Sequence, residues 1–391
     1  MKDGYLDFDE YIRQGEPDKE EKAILWRTAI GLQAVDGLKT SDYLKETASK
    51  HIEGEIDIDE ARELIKSYYQ TKQSRKPDDD QMQEADKVSA NITKILSSSS
   101  LDFSSQGIIA LHRRIFDGVF KHAGKIRDYD ITKKEWVLEY DTVHYLNWED
   151  LRRALDYDIE QERNFSYKGL STDDLITHIT RFVSGIWQIH AFREGNTRTT
   201  AVFTILYLRD IGFQVNNDMF ANHSWYFRNA LVRANYRNAV KGIDYTPVYL
   251  ERFFRNLLLG EQWDLRNRYL HIHPSPEWSI QPNHSAPSGT KDNTDKHPTS
   301  TRQVPDKLHT DNANIIRLVT AISDRKVSVR EMLDEMGLKD RESFLDLYLS
   351  PAIGEGFVRM LYPESPRHPR QKYLLTAKGL ALSNELKGKE Q

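Results

Sequence analysis

The eleven residues His190-Ala191-Phe192-Arg193-Glu194-Gly195-Asn196-Thr197-Arg198-Thr199-Thr200 decide how this chain is read. Upstream of them Leu175, Ile179, Phe182, Val183 and Ile186 fall on one stripe, so the spacing predicts a helix from Thr172 to His190. A second helix is predicted from Thr197 to Arg209. The connection is Glu-Gly-Asn, in which Gly195 can take backbone angles that side chains avoid. A histidine ending a helix feels a field that favours its cationic form by about 0.3–2 kcal/mol. The first amides of the next helix have no intrahelical partner and form a pocket for an anion. Arg198 adds a planar cationic fork matched to phosphate, and Glu194 a metal-binding carboxylate. Taken singly, His190 reads as a cap and Glu-Gly-Asn as a turn. Together with Arg198 they suit phosphoryl or nucleotidyl transfer, in which catalysis is largely positioning and charge stabilisation.

Working outward, 391 residues suggest two or three units. The hydrophobic content of 38% and charged content of 29% describe a polar chain that still builds a packed core. A net charge of −5 argues against a protein held to nucleic acid by bulk charge. With no cysteine there is no disulfide, thiol nucleophile or thiolate zinc site. No run approaches the roughly 20 apolar residues that cross a bilayer, and the acidic start Met1-Lys2-Asp3-Gly4-Tyr5-Leu6-Asp7 lacks a signal-peptide core. A cytoplasmic protein without a membrane partner is expected.

The pattern is mainly α. Ile24, Leu25, Ala29 and Leu32 make one helical stripe and Leu44, Ala48 and Ile52 another; Asp57 opens a helix through Leu64, Ile65 and Tyr68. Met82 to Leu96 and Ser104 to Phe120 continue the theme, whereas Ile126 to Tyr145, with Trp136-Val137-Leu138 and Val143-His144-Tyr145, reads as a β-hairpin. Residues 70–80 read as a polar linker, and residues 274–311, rich in Pro, Ser, Asn and His, as a connector. Beyond it, helices at Ile315–Ile322, Val329–Met336 and Glu342–Leu349 precede strands at Phe357–Leu361 and Lys372–Leu375, a winged-helix pattern.

The central segment resembles the signature of the Fic family, His-x-Phe-x-(Asp/Glu)-Gly-Asn-Gly-Arg-x-x-Arg, matching at His190, Phe192, Glu194, Gly195, Asn196 and Arg198. The similarity spans roughly residues 80–260, where Gly124-Lys125-Ile126-Arg127 and the Trp136 hairpin resemble the family's flap. It implies a compact helical bundle that moves a nucleoside monophosphate, usually AMP from ATP, onto a Ser, Thr or Tyr hydroxyl of a target protein. His190 would then be the general base and Glu194 the ligand of Mg²⁺. Gly195, Asn196 and the Thr197 amide would line the anion hole, Arg198 would clamp the β-phosphate, and Phe192 would anchor the core. Trp136 and Val137 would dock the target by strand addition, and Tyr226 and Asn235 would face the nucleoside.

Two positions depart from the pattern: Thr197 stands for the second glycine and Ala201 for the final arginine, which in the family holds the γ-phosphate. A lost charge-assisted contact of that kind costs a few kcal/mol, or about 10²–10³ in rate; Arg193 is a nearby substitute. The N-terminal helices resemble the family's antitoxin-like module, whose inhibitory motif is (Ser/Thr)-x-x-x-Glu-(Gly/Asn). Ser49-Lys50-His51-Ile52-Glu53-Gly54 matches it literally, which predicts a Glu53–Arg198 pair. The looser alternative is Leu32-Gln33-Ala34-Val35-Asp36-Gly37.

The expected division is an antitoxin-like regulatory region at 1–72, a Fic domain at 80–260, a linker at 261–310 and a winged helix at 311–386. The wing residues Arg367, Arg370 and Lys372 leave DNA and a protein as alternative partners of that unit, and a second copy of the chain is a further candidate partner. His271-Ile272-His273 reads as loop in preference to metal site. Two other readings stand beside AMP transfer: a nucleotide-sensing DNA-binding regulator, and a transferase using another phosphate donor.

Overall fold

The computed structural model describes residues 8, 11–12, 16–71, 79–98, 100–215, 218–273, 310–363, 365–366 and 368–389. The polar stretch at 72–78, the connector at 274–309 and the wing residue Arg367 lie outside them. The described chain is mainly helical.

Helices α1 (Pro17–Gly31), α2 (Asp42–Glu53) and α3 (Ile58–Thr71) come first. Ser41 caps α2 by accepting from the Leu44 amide at 3.1 Å. Asp57 and Glu60 close a reciprocal cap on α3, each bond 2.8 Å long. On α3 the buried stripe is Ala61, Ile65 and Tyr69, with Leu64 turned out at 38% exposure. Tyr68 stacks on Tyr43 at 4.1 Å.

Helices α4 (Asp79–Leu96), α5 (Ser105–Ile115), α6 (Leu151–Asn164), α7 (Thr172–Ile189), α8 (Asn196–Asp210), α9 (Asp218–Asn235) and α10 (Val248–Leu259) form the bundle. Helix α5 stops at Ile115, short of the expected Phe120, because Phe116 leaves the helical region and packs into the core. Helix α8 is buried along its whole inner length, Asn196 through Leu208. Two of its threonines bond back one turn, Thr204 Oγ1 to the Thr200 carbonyl at 2.7 Å and Thr199 Oγ1 to the Gly195 carbonyl at 2.9 Å.

Three expectations need correction. Residues 126–147 reverse direction as a hairpin does, and Glu135 N donates to Asp141 O at 2.9 Å. No regular ladder forms, because the tip coils into a 3₁₀ turn at Trp136–Leu138 and Glu139 and Tyr140 take left-handed φ of 54° and 67°. The bundle also runs past residue 260. Leu270 is fully buried, and Arg233 Nη1 donates to its carbonyl at 2.7 Å. Lastly, the region expected at 1–72 does not pack apart from the bundle: Leu25, Ala29 and Leu32 belong to the main core.

Helices α11 (Ala313–Ile322) and α12 (Val329–Met336), α13 (Arg341–Phe344), a π-helical turn at Leu345–Leu349 and α14 (Ser350–Gly354) begin the C-terminal unit. Strands β1 (Val358–Met360) and β2 (Tyr373–Leu375) pair antiparallel, with Arg359 opposite Leu374. A closing helix α15 (Ala377–Lys389) follows, which the sequence reading did not anticipate. This unit has its own core around Ile315, Leu318, Phe344 and Phe357. It meets the bundle where Gly356 and Gly212 approach so closely that a Cβ on Gly356 would lie 2.0 Å from the Gly212 carbonyl oxygen.

Candidate active site

Helix α7 starts with a reciprocal cap between Ser171 and Asp174 and ends at His190, which takes φ 49°, ψ 54°. A left-handed histidine is strained, and Arg127 holds it in place. Arg127 is 2% exposed; its Nε donates to the His190 carbonyl at 2.9 Å, Nη1 to the Tyr129 carbonyl at 2.7 Å, and Nη2 to the Leu146 carbonyl. Its backbone amide donates to Ala191 O at 2.9 Å. The expected flap segment thus acts as a clamp on the motif.

His190 is 2% exposed, with the Tyr145 ring 4.0 Å from its own. Burial, with the cations Lys133, Arg127 and Arg228 nearby, pushes its pKa well below the ordinary imidazole value. The helix-end field of at most about 2 kcal/mol loses to these effects, so the ring is neutral, contrary to what its helix-end position suggested. Nδ1 lies 3.2 Å from the Trp187 carbonyl, which fixes the proton on Nδ1. Nε2 carries the lone pair, is buried and has no hydrogen-bond partner among the described residues.

The turn itself is tightly built. Asn196 Oδ1 accepts from Phe192 N at 2.9 Å and Nδ2 donates to Phe192 O at 2.7 Å, so this side chain braces the loop. Thr197 Oγ1 accepts from Trp187 Nε1 at 3.0 Å, a bond that glycine could not supply and that ties α8 to α7. Gly195 has φ 73°, and a Cβ there would lie 2.1 Å from the Phe116 ring. Phe192 stacks on His112 at 3.8 Å. His112 accepts from Gly124 N at 2.9 Å and donates to Glu194 O at 3.0 Å, and burial pushes it down to about 4. The sequence reading passed over His112; its only sign was a histidine on the inward face of a predicted helix. Glu194 is exposed, and its carboxylate makes no hydrogen bond or ion pair among the described residues.

Arg198 is 1% exposed and fully engaged. Nη1 donates to Gln33 Oε1 at 3.0 Å, Nη2 to Glu84 Oε1 at 2.7 Å, Nε pairs with Asp36 Oδ2 at 2.8 Å, and the guanidinium lies 4.8 Å from the Phe116 ring. The predicted Glu53 contact is not made. Glu53 pairs with Lys19 at 2.9 Å in the N-terminal cluster, beside Ser49 and Gly54, and α2 does not reach the turn. The looser candidate, Asp36-Gly37, is the one that meets Arg198. Gly31 explains the placement: its Cα approaches Ala221 so closely that a Cβ would lie 2.6 Å from that backbone, and Ser224 Oγ bonds its carbonyl at 2.9 Å. The 3₁₀ segment Leu32–Asp36 is thereby set over α8, ending at Gly37 with φ 71°.

The remaining predicted residues are elsewhere engaged. Tyr226 donates to the Tyr249 carbonyl at 3.2 Å, and Asn235 Nδ2 donates to Ser184 Oγ and the Leu231 carbonyl at 2.9 Å, so both serve the core. Val137 is fully buried, its carbonyl accepting from Ile272 N at 3.0 Å, while Trp136 meets His271 edge-on at 4.6 Å. A coiled tip whose carbonyl is already taken cannot accept a strand as it stands. Arg193 pairs with Asp128 at 2.8 Å, away from position 201, and Ala201 is wholly buried. Lys372 lies 3.7 Å from Glu331.

The Fic/DOC family model matches residues 102–208, and the model of the Filamentation induced by cAMP protein Fic-like C-terminal domain matches residues 313–376. Protein adenylyltransferase VbhT of Bartonella schoenbuchensis is 23% identical over 173 residues, covering 43% of this chain and 34% of that protein. The chain thus matches only about a third of that relative's length. A solved Fic family protein of Desulfovibrio desulfuricans G20 aligns over 93% of this chain and 89% of its own, at 15% identity and a TM-score of 0.41. The motif turn lies inside the first match, and helices α11 to α14 with both strands lie inside the second, so the chain carries a Fic/DOC domain followed by a Fic-like C-terminal domain.

Proposed function

We propose that the chain transfers AMP from ATP to a Ser, Thr or Tyr hydroxyl of a target protein, and that the Leu32–Gly37 segment restrains it. The observation that carries this is the buried His190, with Nδ1 committed to the Trp187 carbonyl and Nε2 without a partner among the described residues. The acceptor oxygen attacks the α-phosphorus, its proton passes to Nε2, the bond from that phosphorus to the bridging oxygen breaks, and pyrophosphate leaves. A positioned base of this kind contributes about 10²–10⁴ in rate. The unpaired amides that open α8, at Asn196 and Thr197, would receive phosphate oxygens. Because Nε2 is buried beside Tyr145, the arm carrying that ring must shift for a hydroxyl to arrive.

Mg²⁺ fits the residues present. It needs one or two carboxylates with substrate phosphates and water completing the shell, and Glu194 offers one exposed, uncommitted carboxylate at the turn. Its charge would neutralise the phosphates; the protein's part is to hold it at Glu194.

The restraint follows from Arg198. A β-phosphate needs this guanidinium, and Asp36 occupies its Nε edge. Labelling the purified chain with α-labelled ATP and Mg²⁺, beside His190→Ala, tests the activity; equal incorporation by both defeats it. A second reading, a nucleotide sensor whose C-terminal winged helix binds DNA, is favoured by the buried Ala201 and the occupied Arg198. Tight ATP binding without turnover, together with a DNA shift by the full chain, would select it. A change in added mass on the target would reveal another donor.

A further inference from the structure

The bundle and the C-terminal unit touch through two groups of contacts. In one, Asn384 Nδ2 donates to the Leu170 carbonyl at 3.2 Å, Thr172 Oγ1 donates to Glu385 Oε1 at 2.5 Å, and Lys168 pairs with Asp324. In the other, Gly212 lies against Gly356 and Gln214 Nε2 donates to the Gly354 carbonyl. The units also enclose a cavity of about 730 Å³, lined from both sides. That volume falls within the roughly 300–1,000 Å³ usual for small-molecule sites. Helix α8 reaches the cavity at its C-terminal end, through Tyr207 and Asp210. The motif turn lies at the opposite end of the same helix, roughly 20 Å away at 1.5 Å per residue. The cavity is therefore separate from the candidate active site.

Its bundle wall is aromatic, built from Phe103, Phe165, Tyr167 and Tyr207. The tyrosine hydroxyls are already spent: Tyr207 donates to Glu162 at 2.6 Å, and Tyr167 donates to the same carboxylate. What this wall offers is ring surface. The opposite wall is basic, and the two-residue period of a strand makes it so. Val358 is buried in the C-terminal core, so Arg359 is turned to the other face of the sheet, opposite Leu374, and both line the cavity. Lys326 joins them, placed by the bridge from Val327 to Tyr373 on β2. Arg359 and Lys326 are exposed, and neither side chain makes a hydrogen bond or ion pair among the described residues. They cost nothing while solvated and are free to meet an anion. Of the two carboxylates on the lining, Glu162 is spent, whereas Asp210 makes no hydrogen bond or ion pair among the described residues.

We propose that this cavity is a second ligand site, taking a small aromatic anion that also carries a hydroxyl or amine. The ring lies against Phe103 and Tyr167, the phosphate or carboxylate meets Arg359 and Lys326, and the hydroxyl or amine donates to Asp210. Because the aromatic and basic walls belong to different units, the bound molecule ties the C-terminal unit to the bundle. The site is independent of AMP transfer and uses none of its residues.

Calorimetry on the full chain tests it with three probes. AMP and 4-hydroxybenzoate distinguish a nucleotide from an aromatic carboxylate as the source, and inorganic phosphate tests the anion alone. Expected is binding of at least one of the two aromatic anions, weakened about 10–100-fold by Arg359→Gln and by Lys326→Gln, with phosphate binding far more weakly. Hydrogen exchange locates the ligand: it should protect Val358–Met360 and Phe165–Tyr167. No binding of either aromatic anion, affinity unchanged in both variants, or phosphate binding as tightly overturns the site. Protection confined to Glu194–Thr197 also overturns it, while leaving the motif turn as a nucleotide site. Leu374→Trp, which fills the cavity from the sheet, should abolish binding. If that chain loses its helical circular dichroism signal, Arg359→Gln and Lys326→Gln decide, since both alter exposed side chains that hold nothing in place.

Discussion

Replacing Gly195 with alanine probes the turn that brings His190, Glu194 and Arg198 together. Two costs add. The residue has φ 73°, a conformation that charges an L side chain about 1–2 kcal/mol. The new methyl would also lie 2.1 and 2.3 Å from two Phe116 ring carbons. That ring cannot withdraw, being fully buried, stacked on Phe120 at 4.9 Å and flanked by the Arg198 guanidinium at 4.8 Å. Overpacking a fixed core contact costs about 1–3 kcal/mol, so the total destabilisation is about 2–5 kcal/mol. Gly37→Ala is the matched control, because its φ is 71° and nothing lies within 4 Å of the added carbon. It should cost only the conformational part, about 1–2 kcal/mol. Urea titration of both variants by far-UV circular dichroism, compared at equal slope, isolates the Phe116 contact. Equal midpoint shifts for the two would show that the ring does yield, and the rigid turn built on it would have to be abandoned.

His112 is held neutral by burial, with its pKa pushed to about 4 from an ordinary value near 6.5. The unfolded chain therefore binds more protons between these values, so stability is whole above pH about 6.5 and falls on acidification toward pH 4, by up to about 3 kcal/mol from this group. Stability measured against pH should lose part of this slope in His112→Gln; an unchanged slope would mean that the imidazole is protonated in the fold. Asp36→Ala should raise self-labelling or ATP affinity by about fivefold, since an ion pair with one half-exposed partner contributes about 1 kcal/mol and Glu84 and Gln33 still hold Arg198. Glu53→Gly should leave labelling unchanged, because Glu53 is spent on Lys19; a rise there, with none in Asp36→Ala, would return the inhibitory role to the Ser49–Gly54 motif.

Local chemistry wrote the helices and the motif turn into the sequence. The stripe ending at Ile186, the Ser171 cap, the left-handed Gly195 and the run from Asn196 to Asp210 all follow from spacing, capping and backbone freedom within a few residues. The same locality explains what was misjudged. Glu53 matches an inhibitory motif letter for letter, yet which of two acidic residues meets Arg198 depends on Gly31 letting α1 lie against α9 at Ala221, nearly two hundred positions away. The protonation of His190 was likewise open: its helix-end position favours a cation, and only burial among Lys133, Arg127 and Arg228 makes it neutral. The flap reversed direction as its apolar pattern indicated, but its tip coiled because Val137 packs inward and its carbonyl is claimed by Ile272. Sequence thus determined the family, the helices and the chemistry-bearing turn, all set by short-range backbone preferences. Tertiary structure decided which acid covers Arg198 and whether the base can accept a proton, because charge and burial depend on residues that meet only when distant helices pack.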